Sequence, residues 1–202
     1  MKTILHLCAD IGSDSVIYSD NGYEVIKIGK DIGVENYSPD KSIYGVIANP
    51  VCTDFSVAKN SNRDVNINDS LFLVKHCERI ISECNPNFWV IENPATGRMK
   101  EYLGVPTYQY EPWWFGSPWT KRTALWGKFN IPERIYFNWE DVPKNDKIYV
   151  RPGRKASLVW LHKKAINDIP EFLRFASLVH DDMSLRSLCS QKFAEAFFQV
   201  NK

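Results

Sequence analysis

The sequence predicts a doubly wound α/β fold, with a mostly parallel sheet and a small irregular insertion before the C-terminal helices. Three observations carry that reading. Short apolar runs of strand length recur at 4–7, 23–28, 46–48 and 88–91. A helical pattern lies between the last two, where Leu71, Val74, Cys77, Ile81 and Cys84 recur at spacings of three and four. The N-terminal run of strand, loop, helix, Gly22 and strand makes a βαβ unit, which pairs its strands in parallel through a right-handed crossover.

Each element has a local reason. Residues 4–7 read as a buried strand, and 8–15 as a loop with one glycine. A short helix follows and stops at Asn21-Gly22, because glycine past a helix end takes the left-handed conformation at little cost. The run 46–48 ends at Asn49-Pro50, since proline cannot donate to a sheet ladder. Residues 56–69 are polar and read as a loop, with Asn68 or Asp69 near the cap of the next helix. On that helix Cys77 and Cys84 read as core packing. The run 88–91 stops in Glu92-Asn93-Pro94, a second proline-stiffened loop. Residues 107–126 are crowded with Tyr, Trp, Pro and Gly, and 123–126 is a further strand candidate. Helical patterning returns at 157–166, 170–179 and 190–200.

Composition bounds the class. The 202 residues read as one domain, 1–202, long enough to bury a core. No apolar stretch reaches the roughly 18 residues of a membrane-spanning helix, and the N-terminus is too short in apolar length for a signal peptide. The five cysteines form no CxxC pair, so neither a zinc site nor a disulfide framework is expected, and a reducing cytoplasm fits best. The four histidines lack ligand spacing, and His6 reads as a satisfied interior residue. The net charge of +1 names no partner, but 144–164 sets Lys144, Lys147, Arg151, Arg154, Lys155, Lys163 and Lys164 against one carboxylate, Asp146. Such a segment can follow a phosphate backbone or simply form a solvated surface loop.

The chemistry sits at the strand ends. Cys52 follows Pro50 by two residues, just beyond a strand's C-terminal end, where open α/β sheets bind ligands. Glu92 holds the corresponding place after the fourth run. A thiol and a carboxylate so placed read as a nucleophile and an acid facing one pocket. Against this stands the ordinary use of cysteine as a small buried hydrophobe.

Several segments together resemble DNA cytosine-C5 methyltransferases, particularly short phage versions. Residues 4–13 resemble that family's first cofactor-binding loop. Asn49-Pro50-Val51-Cys52, continuing to Phe55-Ser56, resembles its nucleophile loop, and Glu92-Asn93-Pro94 its acidic loop. The block 115–127, with Lys121-Arg122, resembles its arginine-bearing strand, and 186–197 its C-terminal segment. The matches run in order from end to end.

The resemblance implies a Rossmann-like fold of the S-adenosylmethionine-dependent methyltransferase type. It implies methyl transfer to C5 of cytosine in DNA through a Cys52 thiolate adduct at C6. In that scheme Glu92 bonds the base edge, and Arg122 supplies positive charge and holds the base carbonyl. Pro50, Ser56, Asn93, Pro94 and Lys121 would contact the substrate. Leu7, Asp10, Gly12, Ser13, Asp31, Ile32 and Asn49 would hold S-adenosylmethionine. DNA would lie along Lys144, Lys147, Arg151, Arg154 and Lys155, with 133–183 as a reduced basic insertion in place of a target-recognition lobe. The base would have to leave the helix. Trp113, Trp114 and Trp119 could stack on bases, although core packing is the plainer use.

The chain departs from the pattern at named positions. Val51 replaces the proline before the nucleophile, Asp10 stands where the family has glycine, and Gly29 replaces the acidic residue ending the second strand. Asp31-Ile32 stands in for the family's acidic residue near the adenine. Two other readings therefore stand beside the first. One is a relative that modifies a pyrimidine nucleotide with another one-carbon donor. The other is an inactive relative that binds nucleic acid or a host protein.

Overall fold

The computed structural model describes residues 1–9, 11–52, 55 and 67–202. The chain divides into two compact units, Met1–Gln109 with Thr123–Phe129, and Tyr110–Arg122 with Asn130–Lys202.

The first unit is built on a sheet whose strands are β1 (Thr3–Leu7), β2 (Glu24–Ile28), β3 (Gly45–Ala48), β4 (Phe88–Pro94), β5 (Tyr108–Tyr110) and β6 (Thr123–Lys128). Their order is β2-β1-β3-β4-β6-β5. β1 pairs in parallel with β2 and β3, β3 in parallel with β4, and β6 runs antiparallel to β4. The expected α/β class and mostly parallel sheet are therefore present. Every residue of β1 and β3 is buried, as continuous apolar runs in a central parallel sheet require. The order reverses between β1 and β3, and their C-terminal ends form the switch point where such sheets leave a crevice.

Helix α1 (Val16–Asp20) makes the first crossover. Helix α2 (Ile67–Cys84) buries Val74, Cys77, Ile80 and Ile81, which meet Leu5, Val46 and Ile91 in one apolar cluster. Asn68 and Asp69 lie in its first described turn, near its N-terminal end as expected. Asp69 there suits the positive end of the helix dipole. Helix α3 (Lys100–Leu103) completes this unit.

Two boundaries differ from expectation. Glu92, Asn93 and Pro94 are not a loop: they continue β4, paired with Leu125, Ala124 and Thr123 of β6. β3 stops at Ala48 opposite Ile91, so only the antiparallel neighbour carries β4 further, and Pro94 falls at its last residue. β5 is three residues among Tyr and Pro, too short to show a period.

In the second unit, the helices expected at 157–166 and 170–179 are short 3₁₀ turns, Leu158–Trp160, Lys163–Asp168 and Pro170–Phe175. Leu161 and Ile169 are extended between them, and Pro170 disfavours helical geometry at Ile169. Helix α4 (Asp182–Ser187) was not expected; Asp181 and Ser184 close a capping box at its start. Helix α5 (Gln191–Asn201) lies where the last pattern predicts it and buries Phe193, Ala194, Phe197 and Phe198. No helix among the described residues is long and apolar enough to cross a membrane.

Candidate active site

Cys52 is exposed, four residues beyond the end of β3. Both flanks of its loop are pinned. The buried Asn93 amide donates to the Pro50 carbonyl at 2.9 Å, tying the loop to β4. Phe55 is fully buried, its N–H bonds the Cys52 carbonyl at 3.1 Å, and its own carbonyl accepts from Arg98 N–H at 2.8 Å. The thiol thus stands on a short span held against the β4 end that carries Glu92. Asn93 Oδ1 is buried with no donor among the described residues. The other thiols contrast with Cys52: burial pushes Cys84 up to about 11, and a thiol contact with Cys8, then burial, hold Cys77 well above its usual range. Both disfavour the reactive thiolate. Ser56, expected among the substrate contacts, lies outside the described residues.

Glu92 is half-buried and belongs to a polar network on the β1, β3 and β4 ends. Asn49 Nδ2 donates to Glu92 Oε2 at 3.2 Å and to Asp14 Oδ1 at 3.3 Å. Asn49 Oδ1 lies 2.7 Å from His6 Nε2, and His6 Nδ1 lies 2.8 Å from Ser15 Oγ. His6 is interior, as expected, but its ring is also part of the site's wiring. Asp14 was not anticipated; a carboxylate one residue past Ser13 in the first loop was the available signal.

The residues expected around a cofactor cluster at the ends of β1 and β2. Leu7 is buried, and its carbonyl accepts from Asn49 N–H at 3.1 Å. Ser13 is buried and donates to Asp14 Oδ2 at 3.2 Å. Gly12 has φ +81°, and a Cβ there would stand 2.8 Å from Lys27 Cδ and 3.3 Å from Lys27 Nζ. Lys27, one residue before the end of β2, thus lays an ammonium beside the glycine; its signal in the sequence is a charge inside an apolar strand run. A Cβ at Gly29 would stand 3.1 Å from both the Ala9 carbonyl and Asp31 Oδ1. Asp31 therefore brings its carboxylate back to the end of β2, where Gly29 lacks one. Ile32 is largely exposed, and Asp10 lies outside the described residues.

The remaining expected residues belong to the second unit. Lys121 Nζ donates to the carbonyls of Leu188 at 3.0 Å and Ser187 at 3.2 Å, closing the end of α4. Arg122 is exposed, and its charge acts on Glu111 together with that of Lys155. Burial raises the Glu111 carboxyl; the Lys121 N–H and these two cations oppose that. Of the basic set, Arg151 stacks 3.9 Å above Trp160, Lys155 4.6 Å above Trp113 and Lys144 4.4 Å above Trp139. Arg154 lines a cavity of about 430 Å³ with Trp139, Lys144, Asn145 and Ile148, and Lys147 is exposed. Trp113 and Trp119 are buried in this unit, in keeping with the packing reading. Among the described residues no group of His, Cys, Asp or Glu is arranged to hold a metal.

No family model matches the chain, and no curated protein matches its sequence. Among solved structures it is similar to a protein encoded within an Escherichia coli prophage and described as a DNA modification methyltransferase. The TM-score is 0.50 and the identity 16%, over 76% of this chain and 56% of that one. At that identity the likeness shows the fold, which is Rossmann-like and methyltransferase-like. The chain spans little more than half the length of that protein.

Proposed function

We propose that this protein transfers a methyl group from S-adenosylmethionine to C5 of cytosine in DNA. The observation that carries the reading is the pairing of Cys52 and Glu92 on adjacent parallel-strand ends, joined by the Asn93–Pro50 bond. An exposed thiol beside a fixed carboxylate suits covalent activation of a pyrimidine. The thiolate adds to C6, which makes C5 electron-rich while Glu92 bonds the N3 and amino edge. After C5 is alkylated, its proton leaves and the Sγ–C6 bond breaks, restoring thiolate and aromatic ring. Arg122 is assigned to the base carbonyl. Asn93 holds the Cys52 loop through the Pro50 carbonyl, Pro94 ends the strand that carries Glu92, and Lys121 acts on the substrate indirectly, by anchoring the segment before Arg122.

The residues at the β1 and β2 ends fit S-adenosylmethionine. Lys27 at Gly12 suits an amino-acid carboxylate. Asp31, returned to the Gly29 position, suits the ribose hydroxyls. When bound, the cofactor supplies the electrophilic methyl sulfonium. Arg122 and the second unit's cations, Lys147, Arg151, Arg154 and Lys155 among them, are assigned to DNA, with 133–183 replacing a larger target-recognition lobe.

The test is methyl transfer from labelled S-adenosylmethionine to DNA, followed by nucleoside mass spectrometry. Label in 5-methylcytosine is expected. Label on an exocyclic amine overturns the C5 assignment, and a folded protein that neither binds the cofactor nor transfers label overturns the activity.

A further inference from the structure

His6 is the one buried imidazole on the central strand, 1% exposed, and the chemistry proposed above does not use it. Its contact with Asn49 fixes one of its protons. An amide oxygen only accepts, so the 2.7 Å contact with Asn49 Oδ1 requires a proton on His6 Nε2. On its other side Nδ1 lies 2.8 Å from the Ser15 hydroxyl, which itself donates toward the Gly12 carbonyl at 3.3 Å. The orientation of Asn49 follows from the same network. With its oxygen on Nε2–H, its two amide protons serve Asp14 and Glu92. Turned over, the amide would set its oxygen against the Asp14 and Glu92 carboxylates, and both contacts would become repulsive.

The three side chains therefore have a single direction, from His6 through Asn49 to Glu92. Glu92 is among the last residues of β4. Holding Oε2 on Asn49 sets the plane of the group and the direction in which Oε1 points. We propose that His6 is a positioning residue: by locking the Asn49 amide it presents the Glu92 carboxylate to the base in one orientation. The proposal rests on the reading that Glu92 is the acid of the Cys52 site.

The test uses the full chain with His6→Leu, which fills the space without a donor, and His6→Gln, whose amide restores a donor near the Nε2 position. His6→Leu should lower kcat for methyl transfer about 10-fold or more, with KM for DNA and for S-adenosylmethionine within about two-fold. His6→Gln should recover most of that loss, which a role in packing alone does not predict. In a Glu92→Gln background, His6→Leu should cost nothing further, because the two residues act through one link. The Asn49 side-chain amide gives a readout independent of activity. Its ¹H–¹⁵N pair should exchange slowly in the wild type and His6→Gln, and rapidly in His6→Leu. Wild-type kcat in His6→Leu alongside a slow Glu92→Gln overturns this inference and leaves the Glu92 assignment standing. Additive losses in the double variant also overturn it. Wild-type rate in Glu92→Gln overturns the underlying reading instead, and the Asn49 exchange then decides whether His6 locks the amide at all. Should His6→Leu fail to fold, Asn49→Ala breaks the same link, and the same non-additivity with Glu92→Gln is required.

Discussion

The two units hold their polar groups in opposite ways. In the first, buried His6, Ser15 and Asn93, with half-buried Asn49, converge on strand ends beside one exposed thiol. In the second, cations lie on aromatic rings: Arg134 is 4.3 Å above Trp114 and 4.8 Å above Trp113, and Arg151 is 3.9 Å above Trp160. Each such contact is worth about 0.5–1 kcal/mol at an exposed site. A regular sheet can aim a few groups at one point. A chain of short 3₁₀ turns lacks that ladder, and rings instead fix the direction of its charges across a surface. The first arrangement suits chemistry on one base, and the second suits contact with an extended polyanion.

The contrast breaks most sharply at Cys52. Cys52→Ser should abolish methyl transfer while the thermal unfolding midpoint stays within a degree or two, because an exposed side chain adds little packing. Any activity near the wild-type level removes the nucleophile. Glu92→Gln should retain DNA binding and slow the chemical step about 10²-fold, the usual scale for a positioned acid. Single-turnover rates separate that step from binding and release.

How much of this is legible before the structure depends on where the determinants lie. β1 to β3 and the buried face of α2 follow from local periodicity, and Pro50 marks the end of β3 by itself. The extension of β4 through Pro94 does not, because β6, thirty residues on, supplies the pairing. In the second unit Leu158, Leu161 and Ile166 are apolar at helix-like spacing, yet they sit on 3₁₀ turns broken at Leu161 and Ile169. Apolar spacing reports burial, and only Pro170 hinted at the break. The place of Cys52 just past a strand is legible because Pro50 is a local stop, whereas the same pattern at Pro94 misplaces Glu92, which lies inside β4. His6 and Lys27 acquire their roles from partners 43 and 15 residues away, His6 at Asn49 and Lys27 at Gly12, and no local pattern shows that.

The next test concerns the second unit's own support. Glu171 accepts from Gln191 N–H at 2.6 Å and Ser117 Oγ at 2.8 Å, capping α5. Burial raises its carboxyl above the ordinary 4.5, against these hydrogen bonds. Glu171→Ala should destabilise this unit by about 1–3 kcal/mol at pH 7, since it strips acceptors from partly buried donors. The sign of the pH dependence follows from the raised value. Below about 4.5 both folded and unfolded chains hold the proton. As pH rises from there through the folded pKa, the unfolded chain releases its proton first, and stability falls. The wild type's advantage over Glu171→Ala should therefore grow as pH is lowered from 7 toward 4.5, as read by urea unfolding. An advantage that shrinks over that range means that the carboxylate form is the one the fold favours.

The smallest effects distinguish cations that face outward from those used internally. Lys147 and Arg154 are exposed, so Lys147→Ala and Arg154→Ala should each weaken DNA binding several-fold. Each should also reduce the slope of log affinity against log salt by about one. Lys144 carries the same charge, but its ammonium donates to the carbonyl of Val142 at 2.7 Å and to that of Trp139. Lys144→Ala should lower the unfolding midpoint and leave the salt slope nearly unchanged. An equal loss of slope at all three positions means that the field of the whole segment, and not the direction in which each cation is held, sets its contact with DNA.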